Sequence, residues 1–224
     1  AAENGRTDSV ARLLRAGAGV NALDAERRTP LLLALKGGHG KASEILIANG
    51  ASLNVTDTEA IAPLAVAAAQ GLDGTVTAIL KRGTQIDAVD ANGRSAIWHA
   101  ADRGRTLVVK QLLARKSAAD RADKDGQTLI GRAAQGNYTG VVVALIESGV
   151  DPNRPNTAGN TPLMLAAERG QGQVVTELLS RGVNVDAKNT NGNTALMFAV
   201  VGGHEDVARR LLAAKADPRA RNKR

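Results

Sequence analysis

The sequence predicts an all-α solenoid with short β-hairpin turns, and three observations lead there. A helix-opening proline or its substitute recurs every 33 residues, at Pro30, Pro63, Ala96, Leu129, Pro162 and Ala195. Adjacent aliphatic pairs keep the same interval: Leu13 with Leu14, Leu46 with Ile47, Ile79 with Leu80, Leu112 with Leu113, Leu145 with Ile146, Leu178 with Leu179, and Leu211 with Leu212. Self-similarity at such a period marks stacked supersecondary units. The third observation is compositional. The 224 residues are 43% hydrophobic yet hold one Trp, one Tyr and one Phe beside 41 Ala and 24 Gly. A compact core normally takes much of its buried area from aromatic rings, so the buried layer here must be thin and built of small side chains.

Each element follows from this period. Residues 1–224 read as a single domain: a partial repeat over 1–23, repeats over 24–56, 57–89, 90–122, 123–155, 156–188 and 189–221, and a basic tail over 217–224. The repeats open at Asp24, Asp57, Asp90, Asp123, Asn156 and Asn189. The fifth serves as the example. Residues 156–160 form a polar turn around Gly159, and Thr161 and Pro162 open a helix where proline is tolerated. That helix continues from Met164 to Arg169, and a second over 172–180 carries Val174, Val175, Leu178 and Leu179 on one face. Residues 183–188 are extended. Ala34, Ala67, Ala100, Ala133, Ala166 and Ala199 mark where helices must approach closely. Glycine, or Asn137, follows each first helix in the place of a left-handed terminator. Glycine also follows most second helices, but Lys116 and Lys215 depart and are expected to carry strain or a different cap. The chain begins in mid-repeat, as a fragment of a longer protein would, which leaves Val10, Leu13 and Leu14 incompletely covered. Arg209 and Arg210 suggest a partial polar cap at the other end.

The blocks Thr29-Pro30-Leu31-Leu32-Leu33-Ala34 and Thr161-Pro162-Leu163-Met164-Leu165-Ala166, with weaker copies in the other repeats, resemble the Thr-Pro-Leu-His-x-Ala signature of ankyrin repeats. The likeness to that family covers nearly the whole chain. It implies an ankyrin-repeat stack with a groove and hairpin tips, acting as a non-catalytic protein-interaction module. The signature His, which in the family bonds across the turn and to the next repeat, is absent: its places hold Leu32, Ala65, Trp98, Gly131, Met164 and Met197. Ala60 replaces a turn glycine in repeat two, and Gly131 with Arg132 interrupts the first helix of repeat four, so a soft point is expected near these repeats.

Helical spacing places one stripe of groove residues on each first helix. The flanking stripes are apolar or small, whereas repeats three to five carry His99, Asp102, Arg103, Arg132, Gln135, Glu168 and Arg169. Arginine and aromatic residues are the usual interface anchors. A protein or peptide partner is therefore expected across these three repeats, with Phe198 and Trp98 as apolar contacts, although Trp98 also suits packing between repeats. The tips supply a second surface, polar and varied, with Ile61 and the acidic repeat-two residues around Thr58 and Glu59 as members.

Charge and chemistry narrow the classes. The net charge is +7, and residues 94–132 hold nine basic and four acidic side chains while 217–224 hold four and one. The central block is spread over tips, groove and second helices, and stacking aromatics for single strands are missing. An acidic protein partner is favoured over nucleic acid, with an anionic polymer or membrane surface as the alternative reading. The tail reads as solvated and frayed. With no Cys there is no disulfide or thiolate site. His39 and His204 sit in a helix-entry position and read as structural, while His99 and Asp102 share a helical face without a nucleophile. No phosphate loop, metal spacing or dinucleotide motif is present, so neither enzyme activity, cofactor nor metal is expected. Two sequons, at Asn54 and Asn137, fall on repeat positions that account for the asparagines. No run is long and apolar enough to span a membrane; the chain reads as soluble, monomeric and without a leader, and no compartment is indicated.

Overall fold

Six helices start at 33-residue intervals, and each is followed by a second: the computed structural model describes residues 1–56 and 60–223. Asp57, Thr58 and Glu59, which include the expected start and tip of repeat two, and Arg224 of the tail lie outside the described residues. The described helices are α1 (Thr7–Arg15), then the pairs α2 (Pro30–Lys36) and α3 (Gly40–Ala48), α4 (Pro63–Gln70) and α5 (Asp73–Lys81), α6 (Ala96–Asp102) and α7 (Thr106–Ala114). They continue as α8 (Leu129–Gln135) and α9 (Thr139–Glu147), α10 (Pro162–Glu168) and α11 (Gly172–Ser180), and α12 (Ala195–Val201) and α13 (Glu205–Ala213).

The first helices are only two turns long, so their ends decide whether they form. Thr29, Thr128, Thr161 and Thr194 each accept the N3 backbone N–H through the side-chain hydroxyl, satisfying one orphan donor. In α10 the closure is reciprocal, because Met164 Sδ accepts the Thr161 backbone N–H at 3.4 Å. A thioether thus spans the turn at a place where the family signature carries His.

Contact between Cα atoms divides the chain into two compact units, Ala1–Ala118 and Ala119–Arg224. In the first, α2, α4 and α6 stack side by side, as do α1, α3, α5 and α7. In the second, α8, α10 and α12 form one layer and α9, α11 and α13 the other. The six register alanines, Ala34, Ala67, Ala100, Ala133, Ala166 and Ala199, are all 0% exposed. Val10 of α1 is buried, whereas Leu13 stands half exposed. Gly131 has a packing reason: a Cβ there would lie 2.9 Å from Leu165 Cδ1 and 2.8 Å from Thr128 Oγ1. The glycine makes room for the larger neighbour on α10.

The hairpin turns contain little β structure. Among the described residues one isolated antiparallel bridge forms, Val89 with Ser95. Side chains close the turns instead. The opening residue of a repeat accepts two backbone N–H groups with one oxygen: Asp90 Oδ1 from Asn92 and Arg94, Asp123 Oδ1 from Asp125 and Gln127, and Asn156 Oδ1 from Ala158 and Asn160. Asp24 and Asn189 do the same. The turn is written by one residue type at one position, which is why Asp and Asn alternate there.

The tail corrects an expectation. Instead of fraying, Asp217 N donates to Asp186 Oδ1 at 2.9 Å, Asn222 Nδ2 to Asn193 Oδ1 at 2.8 Å and Lys223 N to Asn191 O at 3.0 Å. These repeat the links one repeat earlier, where Asn189 Nδ2 donates to Asn160 Oδ1 and Thr190 N to Ala158 O. Over 217–223 the tail's backbone takes up the links of another turn.

Lys116 and Lys215 hold φ of 60° and 67°, the left-handed region, where their counterparts such as Gly83 stand at 75°. A side chain there is disfavoured by about 1–2 kcal/mol, partly offset by the greater unfolded-state freedom of glycine. Lys116→Gly should therefore raise the unfolding free energy by about 0.5–1 kcal/mol. Gly83→Ala, at a site with open space around the Cβ, should lower it by about 1 kcal/mol. Urea titration followed by the fluorescence of the single Trp98 checks both, and equal midpoints for the two variants would contradict the strain argument.

Candidate functional site

In the first unit, α6 carries four of the residues expected to meet a partner, and the geometry separates them. Trp98 is 3% exposed. The ring lies inside the stack, and its buried Nε1 has no hydrogen-bond partner. The Arg94 guanidinium stands 4.3 Å from the ring centroid, a cation–π contact that ties the tip to the helix. This ring is not a surface that a partner meets directly. His99 turns inward to the hairpin: Nε2 lies 2.8 Å from Asp90 Oδ2. Asp90, whose side chain is 4% exposed, thus ties two turn N–H groups with one oxygen and helix α6 with the other. The turn thus folds back on its own helix. Asp102 is half-buried, and Arg103, at the C-cap of α6, is exposed.

In the second unit, α8 exposes Arg132, whose Nη1 donates to Gln135 Oε1 at 3.2 Å. Glu168 and Arg169 at the end of α10 are exposed, and Phe198 of α12 is half-buried. Leu165 and, in the first unit, Val66, both placed on the groove stripe by spacing, are buried at 5% and 7% exposure. On these helices Arg103, Arg132, Glu168 and Arg169 of the stripe face solvent while Val66 and Leu165 join the core.

A second regularity supports each row. At four of the second-helix entries the side chain bonds the carbonyl 36 residues earlier, in three of them at the end of the preceding first helix. His39 Nε2 reaches Glu3 O at 2.9 Å and Arg105 Nε reaches Ala69 O at 3.1 Å in the first unit. Gln171 Nε2 reaches Gln135 O at 3.4 Å and His204 Nε2 reaches Glu168 O at 3.0 Å in the second. Free carbonyls at a helix end need such donors. His39 and His204 are thus structural, and Arg105 of the basic block is committed to the fold.

At the tips, Arg28 bonds Asp24 and Glu26 at 2.7 and 2.9 Å. The Arg28 side-chain hydrogen bond, then its backbone N–H, holds the Asp24 carboxyl below the ordinary carboxylate range. Ile61 is half-buried rather than exposed. Among the described residues no group of three or more His, Asp or Glu is arranged to hold a metal ion, and no helix is long and apolar enough to cross a membrane.

Sequence reasoning missed a cleft of about 740 Å³ in the second unit, lined by Phe198, Val200, Val201 and Leu212. A signal for it existed. Val201 shares its register with Lys36, Ala69, Asp102, Gln135 and Glu168, so a bulky apolar residue stands where the other repeats are polar or small.

A family model described as ankyrin repeats matches in three copies, over residues 1–90, 64–156 and 130–222. No curated protein sequence matches the chain. Among solved structures, the crystal structure of the human ASB11 ankyrin repeat domain is similar, with 27% identity, 97% of this chain and 96% of that one covered, and a TM-score of 0.87.

The two-sided role of Asp90 makes a graded prediction. Asn fills the same position at Asn156 and Asn189, so Asp90→Asn keeps the turn bonds, weakens the His99 pair and should lose about 1 kcal/mol. Asp90→Ala leaves the two turn N–H groups and His99 unbonded and should lose about 2–4 kcal/mol. Urea unfolding read by Trp98 fluorescence checks the order, and equal losses would show that the carboxylate does not bridge turn and helix.

Proposed function

Because this chain belongs to the ankyrin-repeat family, whose members are generally protein–protein interaction modules, we propose that it binds a protein or peptide partner without catalysing a reaction. The binding surface in this reading is the exposed ends of the first helices, together with the hairpin tips. One observation supports the reading: polar side chains close several helix entries and turn openings, while large cations on the first helices or at their C-caps stand exposed. Arg103 in the first unit and Arg132 and Arg169 in the second are exposed. Arginine at such places supplies bidentate recognition of carboxylates. Asp102, Gln135 and Glu168 beside them add polar selectivity, His99 sets the height of the Asp90 turn, and Phe198 adds an apolar contact. Trp98 supports the surface from beneath.

The chemistry favours an acidic partner. Electrostatic binding of an anionic polymer or membrane surface is the weaker reading, because Arg94 and Arg105 of the central block are engaged within the fold. The tail is likewise held along its backbone. The half-buried Tyr138 and Phe198 offer little stacking surface.

Replacing Arg103, Arg132 and Arg169 together by Ala should reduce recovery of the partner in an affinity pull-down at least tenfold, with unchanged far-ultraviolet circular dichroism. Undiminished recovery by the folded triple variant would remove these cations from the binding surface. Raising NaCl from 50 to 500 mM should weaken the interaction only modestly, whereas the anionic-polymer reading requires a loss of several orders of magnitude.

A further inference from the structure

Arg105 stands at the entry of α7 and performs a structural task that needs a single N–H. Its Nε donates to Ala69 O at 3.1 Å, near the end of α4. At the corresponding entries His39 and His204 make the bond with an imidazole nitrogen, and Gln171 makes it with an amide. A neutral side chain therefore suffices for the fold. A guanidinium carries five N–H donors in a fixed fork, so Arg105 keeps those of both Nη atoms. Among the described residues these have no acceptor within the protein, and Arg105 forms no ion pair.

The side chain is exposed, yet it is held in place. Its stem lies against the left-handed Gly71, where a Cβ would come within 2.9 Å of Arg105 Cδ and 3.2 Å of Nε. With Nε on the Ala69 carbonyl and the stem on Gly71, the edge formed by Nη1 and Nη2 is the part left for a partner. An arginine fixed before binding loses little further rotamer freedom when a ligand arrives, which favours affinity. Arg103 is exposed two residues earlier, and Asp102 is half-buried beside it. Two cations and one carboxylate leave a single net positive charge, which matches a carboxylate more closely than a doubly charged phosphate.

We propose that Arg105 is a carboxylate-recognition residue of the helix-end surface in the first unit, taking an Asp or Glu side chain of the partner on its Nη edge. The inference rests on the reading of that surface as the binding face for an acidic protein or peptide. Bidentate pairing of arginine with carboxylate supplies the geometry, and the Ala69 bond orients the guanidinium without exhausting it.

The experiment uses the whole 224-residue chain and short fluorescein-labelled peptides in which Ala alternates with Glu, with Gln or with phosphoserine. Anisotropy should show saturable binding of the Glu peptide, at least tenfold tighter than the Gln peptide and tighter than the phosphoserine peptide. Arg105→Gln should weaken Glu-peptide binding at least fivefold and leave the urea midpoint at the parent value, because the amide retains the Ala69 bond. Arg105→Ala should weaken binding equally and also lower the midpoint. Arg115→Gln, at the exposed C-cap on the other end of α7, should bind as the parent does, which separates recognition from overall charge. Equal loss in Arg115→Gln, tighter binding of the phosphoserine peptide, or a midpoint for Arg105→Gln as low as that of Arg105→Ala would each overturn the assignment. If Arg105→Gln binds as the parent while the Arg103, Arg132 and Arg169 triple variant does not, the acidic-partner reading stands and Arg105 is removed from it. Absence of Glu-peptide binding by the parent chain would remove both.

Discussion

Everything in this fold depends on how closely one layer of helices lies against the next. Six alanines in register, fully enclosed, set that spacing. A residue one or two methylenes larger would separate the helices or distort their rotamers. The thinness of the layers has further consequences. With so little room, apolar burial comes from many short contacts rather than from rings, which accounts for a chain with one Trp, one Tyr and one Phe. Short helices in turn have a large share of their backbone at unsatisfied ends. Bonds to those ends therefore contribute much of what holds the stack together.

The polar positions are the answer to that constraint, and they tolerate different chemistries that do one job. His39, Arg105, Gln171 and His204 all present an N–H to a carbonyl 36 residues back. Asp and Asn both open turns, because only a side-chain oxygen placed to accept two N–H groups is needed. A Met sulfur closes the α10 turn. A positively charged Arg or a neutral Gln thus serves the same structural end, and a residue's formal charge is a poor guide to whether it is available for function.

This explains what could be read in the sequence and what could not. Period, helix pairs and close-packed alanines are local or strictly repeated, so they are legible: the second helix of repeat five falls on Gly172–Ser180 as its pattern predicts. The strained Lys116 and Lys215 are legible for the same reason, since a lysine in a glycine register has no other conformation open to it. The partner of His99 was not legible. Helical spacing offers Asp102, but the turn returns Asp90 to within 2.8 Å, and a separation of nine positions across a turn carries no spacing rule. The burial of Trp98 and the docking of the tail depend on tertiary contacts of the same kind.

That comparison separates scaffold from function more sharply than charge or hydrophobicity does. In the alanine register, identity and burial agree at every repeat, so packing leaves no freedom. In the register of Lys36, Ala69, Asp102, Gln135, Glu168 and Val201 the fold imposes no residue type, since a cation, a methyl group, an amide, a carboxylate and a branched aliphatic all occur there. The residues range from half-buried to exposed. Where packing is indifferent, the side chain's chemistry is left to be set by what touches it from outside. Val201 is the extreme case, because exposing an aliphatic side chain forgoes about 1.5–3 kcal/mol of transfer free energy that burial would supply.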